Sequence, residues 1–387
     1  MPTSMKALVT AIPNTAVVED VPIPEPGVNE VRVKVHAVAL NPVDALYVSN
    51  LPCGPGRTVG SDIAGTVDKV GDGVKGWRVG DRIAGLLQGA TTATPCPGGF
   101  AEYAILEEDL AIHIPSGVSF EEAATVPLCS LTVAQALKAL FIRLEINAPF
   151  SSPFKFDVSS EKPPTILIYS AATSLGLFAI SLIKLLSTSS GSTYRIFATA
   201  SPKNHQKLKD LGVEAVFDYK SPTWTQDVIR ASGGISYGFD CISEESSTAL
   251  ISQTYGANGN LAVVRKYAWN KDGVRDGVIP LYGAVWSGLG YDIAYNNEVL
   301  PALPLWRQFS VEFFKFLSAG SSEDRTIFPI SPNPVRVMPG GLSRIVPEGF
   351  SLFGPGKALK EAEIEGKEWM RPISGEKIVY RLLNTQS

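Results

Sequence analysis

Residues 165–186 read TILIYSAATSLGLFAISLIKLL, and the fold turns on this stretch. An apolar run, 165–169, passes through small and hydroxyl-bearing residues into a segment whose apolar positions recur at helical spacing. Small residues at a strand-to-helix turn let backbone approach a phosphate closely, and the helix that follows aims its first N–H groups at the anion. A dinucleotide fingerprint places three glycines there, as G-x-G-x-x-G. Gly176 holds the third position, whereas Ala171 and Thr173 stand at the first two. Taken alone, the stretch fits either a nucleotide loop or an ordinary βα turn of another α/β fold.

The neighbouring sequence decides between them. RIFATAS (195–201), EAVFDY (214–219), YGFDCIS (237–243) and NLAVV (260–264) are apolar runs separated by polar or helical spacers, the pattern of βαβ units and a parallel sheet. The second run ends in Ser201-Pro202-Lys203-Asn204, where an NAD-preferring protein carries an acid for the ribose hydroxyls. A lysine flanked by hydrogen-bonding side chains suits a 2′-phosphate instead. The third run ends in Phe217-Asp218-Tyr219, whose ring can lie against adenine or bond the same phosphate. Together these residues favour NADPH over NADH.

The 387 residues exceed one ordinary core and call for two domains. With 45% hydrophobic and 19% charged residues the chain is built to fold, and its net charge of −4 with scattered Lys and Arg argues against nucleic acid or anionic membrane as partners. No signal-peptide core and no run of about 18 apolar residues is present, so a soluble, cytoplasmic protein is expected. Cys53, Cys96, Cys129 and Cys241 form no C-x-x-C pair and read as reduced, structural thiols.

Outside the middle, the chain is β-rich. VRVKVHAVAL (31–40) alternates as a half-buried strand, and DIAGTVDKVGDGV (62–74), DRIAGL (81–86) and GGFAEYAIL (98–106) are short runs broken by glycine, as in a small barrel. SLTVAQALKAL (130–140) reads as a helix, the Pro- and Ser-rich 143–165 as an exposed connection, 298–318 as a further helix, and SGEKIVYRLL (374–383) as a closing strand.

KALV (6–9), NPVD (41–44), GSDIAGTV (60–67), VGDRIAG (79–85), GGFAEY (98–103), AATSLG (171–176) and GEKIV (375–379) occur in the order found in the medium-chain dehydrogenase/reductase superfamily, which the chain resembles over nearly its whole length. The resemblance implies an α/β protein: a GroES-like β-barrel domain from residues 1–128 and 326–387, a doubly wound Rossmann domain over 129–325, and an active site in the cleft. The zinc branch of that superfamily carries a cysteine where this chain has Asp44, and G-H-E where it has Gly60-Ser61-Asp62. Thiolate and imidazole ligands at those points make a catalytic zinc site, so no metal is expected here.

Without a Lewis acid the supported chemistry is hydride addition to a C=C bond conjugated with a carbonyl. The chain looks most like the zinc-free branch, and within it the trans-acting enoyl reductases of fungal polyketide pathways, through its glycine-poor loop, S-P-x-N, F-D-Y and S-G-E-K. That resemblance puts Val43 and Asp44 near the nicotinamide, Ser130 and Thr132 on its ribose or amide, and Thr173, Ser174, Leu175 and Gly176 on the pyrophosphate, with the two hydroxyls adding hydrogen bonds. It puts Ser201, Lys203, Asn204 and Tyr219 on the 2′-phosphate, Val263 and Val264 beside the nicotinamide, and backbone at Lys377 over it.

Asp44, Tyr47 and Thr132 are the cleft candidates for chemistry, and no proton donor is identified. For Asp44 a helix-capping role competes, and for Tyr47 simple packing. The implied partner is a polyketide synthase or its carrier-bound substrate, with the chain a monomer or homodimer. A free-standing quinone or enone reductase and a redox-silent binding protein remain alternatives. MPGGLSRIVPEGFSLFGPG (338–356) reads as an insertion that reshapes the cleft or a partner surface.

Overall fold

A computed structural model describes residues 3–51, 54–91, 96–141, 164–189, 194–295, 298–320, 323–353 and 366–382. Cys53, most of the connection 143–165 and the end of 338–356 lie outside the described residues. The chain divides into two compact units, Met1–Leu128 with Trp286–Ser387, and Cys129–Val285. Compactness thus groups 286–325 with the first unit, whereas the sequence reading continues the nucleotide-binding domain to 325.

In the first unit the strands are β1 (Ser4–Ala11), β2 (Thr15–Pro22), β3 (Glu30–Ala39), β4 (Asp62–Val70), β5 (Arg82–Leu86), β6 (Tyr103–Glu107) and β7 (Ala111–His113). Helix α1 (Pro42–Asn50) follows β3, and α2 (Phe120–Ala124) follows β7. β3 is the central strand because its alternation is genuine: Val31, Val33 and Val35 are wholly buried while Arg32, Lys34 and His36 are only half-buried. Two register shifts against β4, at Arg32/Val33 and Val35/Ala37, let it bend, and the sheet curves accordingly.

The second unit opens within α3 (Pro127–Phe141) and continues through β8 (Thr165–Tyr169), α4 (Ser174–Ser189), β9 (Arg195–Thr199), α5 (His205–Asp210), β10 (Ala215–Phe217), α6 (Trp224–Ser232), β11 (Tyr237–Asp240), α7 (Ser247–Ser252), β12 (Gly259–Val263) and β13 (Val278–Tyr282). The strands are all parallel in the order β10-β9-β8-β11-β12-β13. This is the doubly wound order, and the reversal between β8 and β11 is where such sheets bind ligands, beyond the carboxyl ends of the strands. Ile166, Leu167 and Ile168 are fully buried, as a strand covered on both faces requires.

The chain then returns to the first unit with β14 (Ile293–Tyr295), β15 (Glu298–Leu300), α8 (Pro304–Ser318), β16 (Val335–Met338) and β17 (Lys377–Arg381). The curved sheet runs β16-β17-β3-β4-β5-β7, with β6 also on β3. The expected combination of a doubly wound parallel sheet and a β-rich unit drawn from both chain ends is therefore the one observed.

Described residues of the segment read as an insertion pack into the core of the first unit. Leu342, Ile345 and Phe350 pack in the same apolar cluster as Val33, Ile63 and Tyr380, and Tyr380 Oη donates to Arg344 O at 3.1 Å. Buried Arg336 clamps the stretch from 369 to 376, donating to the carbonyls of Trp369, Arg371 and Pro372 at 3.0, 2.6 and 3.1 Å and pairing with Glu376. The glycines and prolines of 338–356 hide a packing role that periodicity cannot reveal. Among the described residues no helix is long and apolar enough to cross a membrane.

Candidate functional site

The sequence-predicted residues fall into two groups, one in each unit. In the second unit the turn after β8 is shaped by residues that need no glycine at the first two fingerprint positions. Ser170 takes the left-handed conformation, φ 59°, its N–H donates to Thr199 Oγ1 at 2.9 Å, and Ala171 N–H donates to Thr199 O at 2.9 Å. Left-handed backbone is costly for residues with a Cβ, and the two bonds to β9 hold it in place.

Gly176 is constrained differently. A Cβ there would lie 2.4 Å from Ala171 Cα and 2.5 Å from Ala171 O, so α4 approaches the turn as closely as backbone allows. This is the role of the third fingerprint glycine, close helix–strand packing.

Thr173, expected on the pyrophosphate, also makes contacts within the loop itself. Its Oγ1 accepts the Gly176 N–H at 3.2 Å, which caps α4, and its side chain also hydrogen-bonds the Cys241 thiol. Burial and the nearby Asp240 charge push that thiol well above its usual range, and the Thr173 bond works against them. The hydroxyl expected on pyrophosphate is thus engaged in building the loop. Ser174 and Leu175 occupy the first turn of α4, where N–H groups have no intrahelical acceptor and are suited to an anion.

At the adenosine end the structure brings Ser201 and Tyr219 together, Oγ to Oη 3.1 Å. Lys203 is exposed on the single turn Pro202–Asn204, with half-buried Asn204 beside it. Tyr169, which sequence reasoning missed, stands beside them: its ring centroid is 6.3 Å from that of Tyr219 and 5.7 Å from that of buried Trp224. Burial, then the charge of Asp240, pushes the Tyr169 hydroxyl up to about 12, so it remains a neutral donor. The only signal was its place as the last residue of the first strand.

At the end of β11, buried Asp240 accepts from Ile242 N–H, Ser243 N–H, Ser247 Oγ and Thr248 Oγ1 at 3.1, 2.8, 2.6 and 2.9 Å. Ser243 Oγ in turn accepts the N–H of Val264, next to buried Val263, at 2.9 Å. The edge that carries both valines is therefore fixed to the loop after β11. Ser130 is fully buried and Thr132 half-buried, both early in α3.

In the first unit Asp44 caps α1, accepting the Asn41 N–H on Oδ2 at 2.9 Å, as the capping reading proposed. Its Oδ1 accepts from Ser61 Oγ at 2.7 Å. Two positions that hold zinc ligands in the zinc branch are here joined by a hydrogen bond. Asp44 is 1% exposed, and burial, opposed by those two hydrogen bonds, raises its carboxyl to about 7.

Beside it lies a buried ion pair: Lys377 Nζ donates to Asp62 Oδ2 at 2.6 Å and to Thr125 O at 3.3 Å. Asp62 also accepts from Asn41 Nδ2 at 2.9 Å and Leu128 N–H at 2.8 Å. The sequence reading used Lys377 for its backbone, whose N–H donates to Pro334 O at 2.8 Å, and did not foresee the charge pair. Val43 is half-buried at the start of α1, and Tyr47 is buried in it.

Comparison with known proteins adds ancestry. The alcohol dehydrogenase GroES-like domain model matches residues 27–116. The chain is 32% identical over 363 residues to the enoyl reductase cheB of Chaetomium globosum, covering 91% of this chain and 89% of that one. It is 30% identical over 354 residues to the trans-enoyl reductase RAP2 of Pyricularia oryzae, covering 90% and 92%. Among solved structures, an alcohol dehydrogenase superfamily protein from Novosphingobium aromaticivorans shares the fold with a TM-score of 0.71 at 18% identity, covering 98% of this chain and 100% of that one.

The geometry of the two groups sets two expected outcomes. Gly176→Val should destabilise the second unit by about 1–3 kcal/mol in chemical denaturation, through overpacking against Ala171; an unchanged midpoint would contradict the close approach. Asp44 binds its proton more tightly folded than unfolded, so its contribution is complete below pH about 4 and is lost as pH rises toward 7. Relative to Asp44→Asn, the wild type should therefore lose on the order of a few kcal/mol between pH 4 and pH 7, and a pH-independent difference would refute this.

Proposed function

The chain belongs to the trans-enoyl reductase family, and from that premise we propose that it is an NADPH-dependent, zinc-independent reductase of activated C=C bonds, acting on an enoyl thioester borne by the carrier of a polyketide synthase. The observation that carries the proposal is the loop after β8, where Gly176 lets α4 meet the turn and the first-turn N–H groups of Ser174 and Leu175 are suited to a pyrophosphate.

The residues present fit the nicotinamide dinucleotide. No acid stands at the end of β9, and Lys203 with the Ser201–Tyr219 pair offers one cation and two hydroxyls to a 2′-phosphate. NADPH, when bound, supplies the hydride that the β-carbon of the unsaturated carbonyl receives. The protein's own part is to grip and orient: Thr173 fixes the first turn of α4, the Asp240 network fixes the edge bearing Val263 and Val264, and Tyr169 backs the adenosine end.

The donor set where zinc relatives bind metal does not fit that ion. Asp44 and Ser61 bond each other, Asp62 is neutralised by Lys377, and neither thiolate nor imidazole stands at these three positions. Asp44 is a structural carboxyl in this reading, closed in by Ser61 and the Asn41 N–H, and water delivers the α-carbon proton.

With purified protein and an enoyl thioester, Lys203→Ala should raise KM for NADPH about 10- to 100-fold and leave NADH kinetics little changed. Equal losses with both cofactors would remove the 2′-phosphate assignment. Turnover of a carrier-bound enoyl group far above that of small quinones would separate the carrier-dependent reductase from a general quinone reductase.

A further inference from the structure

Gln88 is a side chain of the first unit that stability alone leaves unexplained. It is 2% exposed, and neither its Nε2 nor its Oε1 has a hydrogen-bond partner among the described residues. An amide offers two donors and a carbonyl acceptor, and leaving it buried and unpaired is destabilising. Such violations concentrate where a site is built for something other than stability.

The backbone around it is held firmly. Leu86, two residues earlier, pairs with Asp62 across the sheet, and Leu87 N–H donates to Ser61 O at 2.8 Å. Thr91 donates from both N and Oγ1 to Gln88 O, at 3.2 and 2.5 Å. A Cβ on Gly89 would lie 2.9 Å from Gly60 O, and the turn Gly89–Thr91 packs against α1. The unpaired amide thus sits on a rigid turn stitched to Ser61, whose hydroxyl bonds Asp44 on α1. An unpaired amide on so fixed a turn offers its N–H to an oxygen acceptor, neutral or gaining charge.

We propose that Gln88 is a substrate-binding residue whose carboxamide N–H donates to the carbonyl oxygen of the α,β-unsaturated substrate. The inference rests on the enoyl reductase reading. As hydride from NADPH adds to the β-carbon, the C=C π pair moves to give an enolate with its charge on that oxygen, and a proton from water then completes the α-carbon. A donor aimed at the oxygen strengthens its bond as the charge develops.

The test uses full-length wild type, Gln88→Met, and Asn333→Leu as a control, because Asn333 is a second buried amide with both side-chain polar atoms unpaired. The probe is the crotonyl thioester of N-acetylcysteamine. Its binding is read as a thermal shift in the presence of NADP+, and its reduction as NADPH oxidation. Gln88→Met is expected to unfold at the same or a higher temperature than wild type, to lose the probe-dependent shift, and to lose on the order of tenfold in kcat/KM with KM for NADPH unchanged. Asn333→Leu is expected to keep both probe responses.

Retention of probe binding and of kcat/KM by Gln88→Met, a wild type that shows no probe-dependent shift, or equal losses in Asn333→Leu would each overturn the assignment. A wild type that binds the probe without oxidising NADPH would count against the reductase reading while leaving the Gln88 contact standing on the binding result.

Discussion

The ion pair between Asp62 and Lys377 is the contact on which the first unit depends. Its partners stand 315 residues apart and are almost wholly buried, so each charge is tolerable only in the other's presence. Asp62 gathers Asn41 from the start of α1, Leu128 from the start of α3 and Lys377 from the last strand. One carboxylate therefore fixes the turn into α1, the exit of the chain toward the second unit, and the return of the tail. Replacing one partner alone would strand the other charge in the core, a penalty of about 3–5 kcal/mol.

The same cluster is closed by its own hydrogen bonds. The Asp44 carboxyl and the Ser61 hydroxyl satisfy one another, and the neighbouring Asp62 carboxylate is paired with the Lys377 ammonium. The second unit follows the same economy. Where the dinucleotide fingerprint places its second glycine it has Thr173, which caps α4, and Ser170 before it is held in left-handed backbone through Thr199.

Much of this was legible in sequence because the decisive features are local. The run from Thr165 to Leu186 announces strand, turn and helix, and Gly176 marks the one point where backbone meets backbone. The alternation of Val31, Val33 and Val35 gives the central strand of the curved sheet. What stayed hidden is long-range. Lys377 looks like any strand lysine until Asp62 is placed against it, and residues 342–350 look like loop until Ile345 is found in the core. Thr173 reads in sequence only as a hydroxyl at a phosphate loop, and its bonds to the Gly176 N–H and the Cys241 thiol emerge only with the fold.

The most direct measurement tracks the hydride. The purified protein, supplied with NADPH deuterated at the transferable C4 position and an enoyl thioester, yields a saturated thioester whose label is located by NMR. Deuterium at the β-carbon, one per NADPH oxidised, is the predicted result. Deuterium at the carbonyl carbon, or NADPH consumed with no label in the product, would contradict it.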